Sequence, residues 1–108
     1  GEKYDMVILD PPAFTKSRNS IKNAVRGYRE INLRAMKLVK DRGFLATCSC
    51  SHFMDYELFT QTIGQAARNA HKRLRQVEFR TQAADHPILW GAGDSYYLKF
   101  YIFQVCEE

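Results

Sequence analysis

Long apolar runs are missing from this sequence. Nothing approaches the roughly 18 consecutive apolar residues that a membrane-spanning helix needs. The opening Gly1-Glu2-Lys3-Tyr4-Asp5 is polar, unlike a secretory leader. The expectation is a cytoplasmic protein without membrane contact. Cysteine is scarce as well: three in 108 residues, an odd number that speaks against a secreted disulfide framework and for reduced thiols. Three prolines and six glycines, without period, exclude collagen-like and low-complexity classes. Repeats and linker-like stretches are also absent, so residues 1–108 read as one structural unit. What is present, 45% hydrophobic and 26% charged residues, is the balance of one globular domain. Sixteen Lys and Arg against twelve Asp and Glu leave a net charge of +4, which suits a polyanionic partner and equally an ordinary soluble surface.

The hydrophobic pattern gives the element order. Met6-Val7-Ile8-Leu9 is apolar throughout, too short for a helix and closed by Asp10-Pro11-Pro12, which predicts a strand covered on both faces, as in a parallel sheet. So early a strand suggests that a piece precedes it. Residues Thr15 to Ala24, rich in Lys, Arg, Asn and Ser, read as a basic loop. Tyr28, Ile31, Ala35 and Leu38, with Asn32, Met36 and Val39 beside them, repeat at helical spacing, and Gly43 is the expected stop. Phe44 to Cys50 is a second strand, and the polar turn Ser51 to Asp55 is placed to cap a helix built on Phe59, Ile63, Ala66 and Ala70. Leu74 to Thr81 and Tyr96 to Cys106 alternate as half-exposed strands, separated by a loop from Gln82 to Ser95. Strands alternating with helices predict a mainly parallel α/β sheet with a C-terminal antiparallel strand pair. Ligands of such sheets sit at the carboxyl ends of strands, which brings Asp10 and Cys50 to one crevice.

Three groups of residues carry candidate chemistry. In Asp10-Pro11-Pro12-Ala13-Phe14, a rigid diproline turn follows a strand, its carbonyls free to accept from a ligand amine, with Phe14 as a stacking face. A flat, amino-bearing ring suits it; the alternative is a simple strand-ending turn. In Thr47-Cys48-Ser49-Cys50-Ser51, alternation puts both cysteines on one face, with Cys50 nearer the helix that follows, where a thiol is readily activated. Two inert buried thiols are the competing reading, and a metal held with His52 is disfavoured because four ligands are not assembled. Lys16, Arg18, Lys22, Arg26 and Arg29, interleaved with Phe14 and Tyr28, mix phosphate contacts with stacking surfaces as single-stranded nucleic acid requires, though a solvated charged loop has the same look. His86, in Ala84-Asp85-His86-Pro87, adds a titratable group that either reaches the crevice or lies in a surface turn.

The runs V-I-L-D-P-P-A-F, R-G-Y-R-E-I-N, T-C-S-C-S, Q-A-A-D-H-P and Y-Y-L-K-F, in this order, resemble the C-terminal half of the class I S-adenosylmethionine-dependent methyltransferase domain of the bacterial 23S ribosomal RNA 5-methylcytosine methyltransferases. The resemblance covers nearly the whole chain, although D-P-P is shared with many amino-group methyltransferases. It implies a truncated Rossmann-like sheet, S-adenosylmethionine as cofactor lying against Asp10 and Pro11, no metal, and 23S ribosomal RNA as partner. It further implies that Cys50 adds to carbon 6 of cytosine so that carbon 5 accepts the methyl group, while Asp10 polarises the cytosine edge and Pro11 and Pro12 shape the pocket. Phe14, Arg26, Tyr28 and His86 are the remaining candidate substrate contacts. Where related RNA enzymes place a second cysteine that assists elimination, this chain has Ala13, and Cys48 is a possible substitute.

The glycine-rich turn and the acidic residue that hold the cofactor's methionine and ribose have no counterpart in the sequence. The chain alone is therefore expected to bind the cofactor poorly, and its Met6 to Leu9 strand to be an exposed edge through which it self-associates. Methylation of an exocyclic amine at the Asp-Pro-Pro turn, which needs no cysteine, and a non-catalytic RNA-binding module are the alternative functions.

Overall fold

A computed structural model describes residues 2–10, 21–49, 54–81 and 98–108. The order is β1 (Tyr4–Leu9), α1 (Ile21–Leu38), β2 (Val39–Ser49), α2 (Tyr56–Ala70), β3 (Lys72–Arg80) and β4 (Lys99–Glu107). The four strands form one sheet in the order β1-β2-β4-β3. β1 and β2 pair in parallel, and β4 lies antiparallel to both β2 and β3. The parallel start and the antiparallel final pair agree with the sequence. Insertion of β4 between β2 and β3 is a long-range choice that local patterning does not encode.

Helix α1 is amphipathic: Ala24, Tyr28, Asn32, Ala35 and Met36 form its buried stripe. It begins at Ile21, inside the stretch read as a basic loop, because Ala24 already serves as a buried contact while Lys22 and Arg26 stay in solvent. It ends at Leu38, not near Gly43, and Val39 enters β2 directly. The left-handed turn residue is Arg42, at φ 70°. Gly43 is required for another reason: a Cβ there would stand 2.7 Å from the Asp5 carbonyl oxygen and 2.7 Å from Val39 Cγ1. Backbone proximity between β1 and β2 thus excludes any side chain. The turn is tied to β4, where Gln104 Nε2 donates to the Arg42 carbonyl (3.1 Å) and the Glu107 amide donates to Asp41 Oδ1 (2.8 Å).

Asp55 caps α2: its carboxylate accepts from the Leu58 amide at 2.7 Å. Both helices cover the same face of the sheet. Tyr28 of α1 meets Phe59 of α2 edge to face (centroids 6.0 Å apart), and Phe59 meets Tyr101 of β4 at 6.1 Å. Around these rings Met36, Val39, Leu45, Ile63 and Val105 complete the core. Along β4, Lys99, Tyr101, Phe103 and Val105 are buried, and the residues between them are half-buried on the opposite face. Register places Met6 beside Phe44 and Ile8 beside Ala46, whose neighbour on β4 is Ile102. On that open face Met6 is 48% exposed and Ile8 71%. The expected covering of β1 on both faces is therefore corrected: both described helices pack on one side, and among the described residues β1 has a strand neighbour on one side only. No helix among the described residues is long and apolar enough to cross a membrane.

Candidate functional site at the carboxyl ends of β1 and β2

Leu9 pairs with Thr47 in the parallel register, so Asp10, which follows β1, comes level with Cys48, the penultimate residue of β2. Cys48 Sγ donates to Asp10 Oδ1 at 3.2 Å and lies 3.8 Å from the Leu9 carbonyl oxygen. Cys48 is 8% exposed, whereas Asp10 faces solvent. The sheet thus presents a carboxylate at its rim with a thiol behind it. On the helix side of the same strand end, Thr47 Oγ1 donates to Asn32 Oδ1 (2.7 Å), and Asn32 Nδ2 donates to the Tyr28 carbonyl (2.7 Å). Ser49 Oγ donates to the Tyr28 hydroxyl at 3.2 Å. Thr47, Ser49 and Asn32 are all fully buried. These satisfied bonds fix the end of β2 against α1, since a buried polar atom that lost its partner would cost about 1–3 kcal/mol.

The structure brings together Asp10 and Cys48 and directs Thr47 and Ser49 to the opposite face. Cys50, Pro11, Pro12, Phe14 and His86 lie outside the described residues, as do His52 and Ala13. Arg26 is exposed on the second turn of α1, next to exposed Lys22. Tyr28 is a correction. It offers no stacking face, because it is fully buried, its ring against Phe59 and its hydroxyl holding Ser49. The helical spacing Ala24, Tyr28, Asn32 already carried that signal, and it outweighs the proximity of Tyr28 to basic residues.

Lys99 was not anticipated. It is 1% exposed and pairs with Ser49 in the β2–β4 register, so a cationic side chain is enclosed at the same end of the sheet. Its signal is phase: Lys99 falls in step with the buried Tyr101, Phe103 and Val105. A buried ammonium is sustained only by compensating partners, which marks this end of the sheet as polar by construction.

No protein-family model matches the chain. It is 46% identical over 104 residues to a protein of Methanocaldococcus jannaschii assigned as a ribosomal RNA large subunit methyltransferase, covering 96% of this chain and 26% of the relative. It is 46% identical over 99 residues to ribosomal RNA large subunit methyltransferase I of Tolumonas auensis, covering 92% of this chain and 25% of the relative. The chain thus spans about a quarter of the length of these relatives. Among solved structures, a protein assigned as a methyltransferase and complexed with SAH superposes with a TM-score of 0.79 at 17% identity, over 95% of this chain and 26% of that one. At that identity the likeness establishes the fold alone: the four strands and two helices have the arrangement of a partial Rossmann-like α/β sheet.

Proposed function

We propose that this chain is the C-terminal part of the catalytic domain of an S-adenosylmethionine-dependent ribosomal RNA methyltransferase. In this reading the longer protein forms 5-methylcytosine in 23S ribosomal RNA in the cytoplasm. The observation that carries it is the Asp10 carboxylate held level with the end of β2, from which Cys50 follows Ser49 directly. Similarity to ribosomal RNA methyltransferases over nearly the whole chain supports the substrate class.

An exposed carboxylate at the strand end fits a cationic sulfonium donor. The glycine-rich turn and ribose-binding acid that complete such a site are not in this sequence, so Asp10 and Pro11 would form only the reacting side of the cofactor cleft. When bound, S-adenosylmethionine supplies the electrophilic methyl carbon. The chain's own residues prepare the acceptor. The Cys50 thiolate forms a bond to carbon 6 of cytosine, which places electron density on carbon 5; after methylation the carbon-5 proton leaves to a base, and the sulfur–carbon 6 bond breaks to restore the ring and the thiolate. Asp10 holds the polar edge of the base, with Pro11, Pro12, Phe14 and His86 as further contacts. Tyr28 and Asn32 act from the core by fixing Thr47 and Ser49. Lys22 and Arg26 meet the phosphate backbone, so RNA binding weakens as salt rises. The isolated chain self-associates through β1.

The test uses the full-length protein with S-adenosylmethionine and ribosomal RNA carrying 5-fluorocytosine. Fluorine cannot leave as a proton does, so a denaturation-resistant adduct is expected, and it disappears in Cys50→Ala. Methyl transfer that persists in Cys50→Ala without any adduct selects the exocyclic-amine reaction instead. Salt-dependent RNA binding without methyl transfer, surviving Asp10→Ala and Cys50→Ala, selects a binding module.

A further inference from the structure

We infer that Cys48 is a positioning residue for Asp10, held as a neutral thiol, and is not the base that removes the carbon-5 proton; the inference rests on the reaction proposed above. Among the described residues the thiol has two acceptors in reach for its one proton. The shorter contact, 3.2 Å to Asp10 Oδ1 against 3.8 Å to the Leu9 carbonyl, is also the charge-assisted one, so the proton goes to the carboxylate.

The two partners differ in how firmly they are held. Cys48 sits within β2, paired to Phe100 of β4 on one side, with its neighbour Thr47 paired to Leu9 on the other. Asp10 lies one residue beyond the end of an edge strand and is exposed. A donor anchored inside the sheet therefore sets the orientation of a carboxylate that the backbone alone holds less firmly, as first contacts with substrate require.

The same contact disqualifies Cys48 as a base or nucleophile. A thiolate there would put two negative charges 3.2 Å apart, which favours the protonated sulfur. At 8% exposure the sulfur is also largely screened from any base docking in front of the carboxylate. Two cysteines separated by one residue thus take different parts, Cys48 as hydrogen-bond donor and Cys50 as nucleophile.

The experiment compares Cys48→Ala and Cys48→Ser in the full-length protein. Loss of a hydrogen bond to a charged group predicts that Cys48→Ala lowers kcat by about 10- to 100-fold with KM for RNA changed less than about threefold. Cys48→Ser, which keeps a donor, restores kcat to within about threefold of the unaltered enzyme. Neither variant accumulates a covalent adduct on ordinary RNA. Adduct accumulating in both variants overturns the inference by making Cys48 the eliminating base, and full activity of Cys48→Ala overturns it by making the thiol an inert core group.

A second measurement does not depend on methylation or on the folding of a Cys48 variant. Protonation of Cys48 is followed by its β-carbon NMR shift against pH in the unaltered protein and in Asp10→Asn, where loss of the carboxylate is expected to lower the midpoint. An unmoved midpoint overturns the thiol–carboxylate pair. A lowered midpoint in a protein that forms no 5-methylcytosine keeps the pair and rejects the reaction.

Discussion

Tyr101 concentrates several forces in one side chain. Its ring stacks on Phe103 at 4.8 Å and packs against Phe79 at 4.7 Å, and its hydroxyl shares a 2.7 Å hydrogen bond with Thr60. Burial disfavours the phenolate, and although the Thr60 bond pulls the other way, the pKa is pushed up from 10.0 to about 12. A group whose folded pKa is raised binds more protons in the native state than in the unfolded chain. Its contribution to stability is complete below pH 10 and falls as pH rises from there toward 12. Urea midpoints measured at about pH 9 and about pH 11.5 should therefore drop more steeply in the native sequence than in Tyr101→Phe, which has no phenol to ionise. Equal slopes would mean that this phenol ionises alike in both states. At this scale the sequence was informative where one residue obeys one rule: Asp10 stands at the end of an apolar strand and Cys48 in phase to meet it. It misled where two rules competed. Tyr28 belongs at once to a basic neighbourhood and to a helical apolar stripe, and burial decided in favour of the stripe. Gly43 has the composition of a helix stop, but its role is contact with Asp5, which only the pairing of β1 with β2 creates.

The elements were legible in proportion to how much their own side chains determine them. Helix α2 is the clearest, because cap, periodicity and termination all lie within it. Asp55 accepts from the Leu58 amide, Glu57 adds negative charge to the first turn, Phe59, Ile63, Ala66 and Ala70 form the buried stripe, and His71 closes the helix at φ 57°. Removing the cap by Asp55→Ala leaves an amide at the helix start without its acceptor and should cost about 1 kcal/mol. For a domain near 100 residues that corresponds to a fall in Tm of about 4–8 °C, read by thermal denaturation. An unchanged Tm would show that solvent satisfies the Leu58 amide equally well. Helix α1 was legible only from Tyr28 onward, because its first turns offer Ala24 alone as a fully buried contact and the surrounding polar side chains mimic a loop. The strands were legible as strands, but not their order. The antiparallel β3–β4 pair followed from a connection without a helix, but the pairing of β4 with β2 joins residues far apart in the chain, for which no local signal exists.

At the scale of the whole molecule the two edges of the sheet are unlike. β3 carries exposed Arg73 and Arg75, like charges that discourage pairing with a second copy, while Arg80 is paired with Glu78. β1 presents Tyr4 at 49%, Met6 at 48% and Ile8 at 71% exposure, and among the described residues it has a neighbour on one side only. An apolar strand with an unpaired ladder is a template for pairing, and β1 against β1 of a second copy would join two four-stranded sheets into one. The 108-residue chain should therefore show a mass by light scattering that rises with concentration from one chain toward two. Ile8→Lys puts a charge on this edge and should keep the chain monomeric. Because Ile8 is mostly exposed, the change should alter folding stability by no more than about 0.5 kcal/mol. Val77→Lys, at an exposed position of the already basic β3 edge, should leave association unchanged. A constant monomeric mass, or association blocked by Val77→Lys and not by Ile8→Lys, would show that β1 is not the edge that recruits a partner.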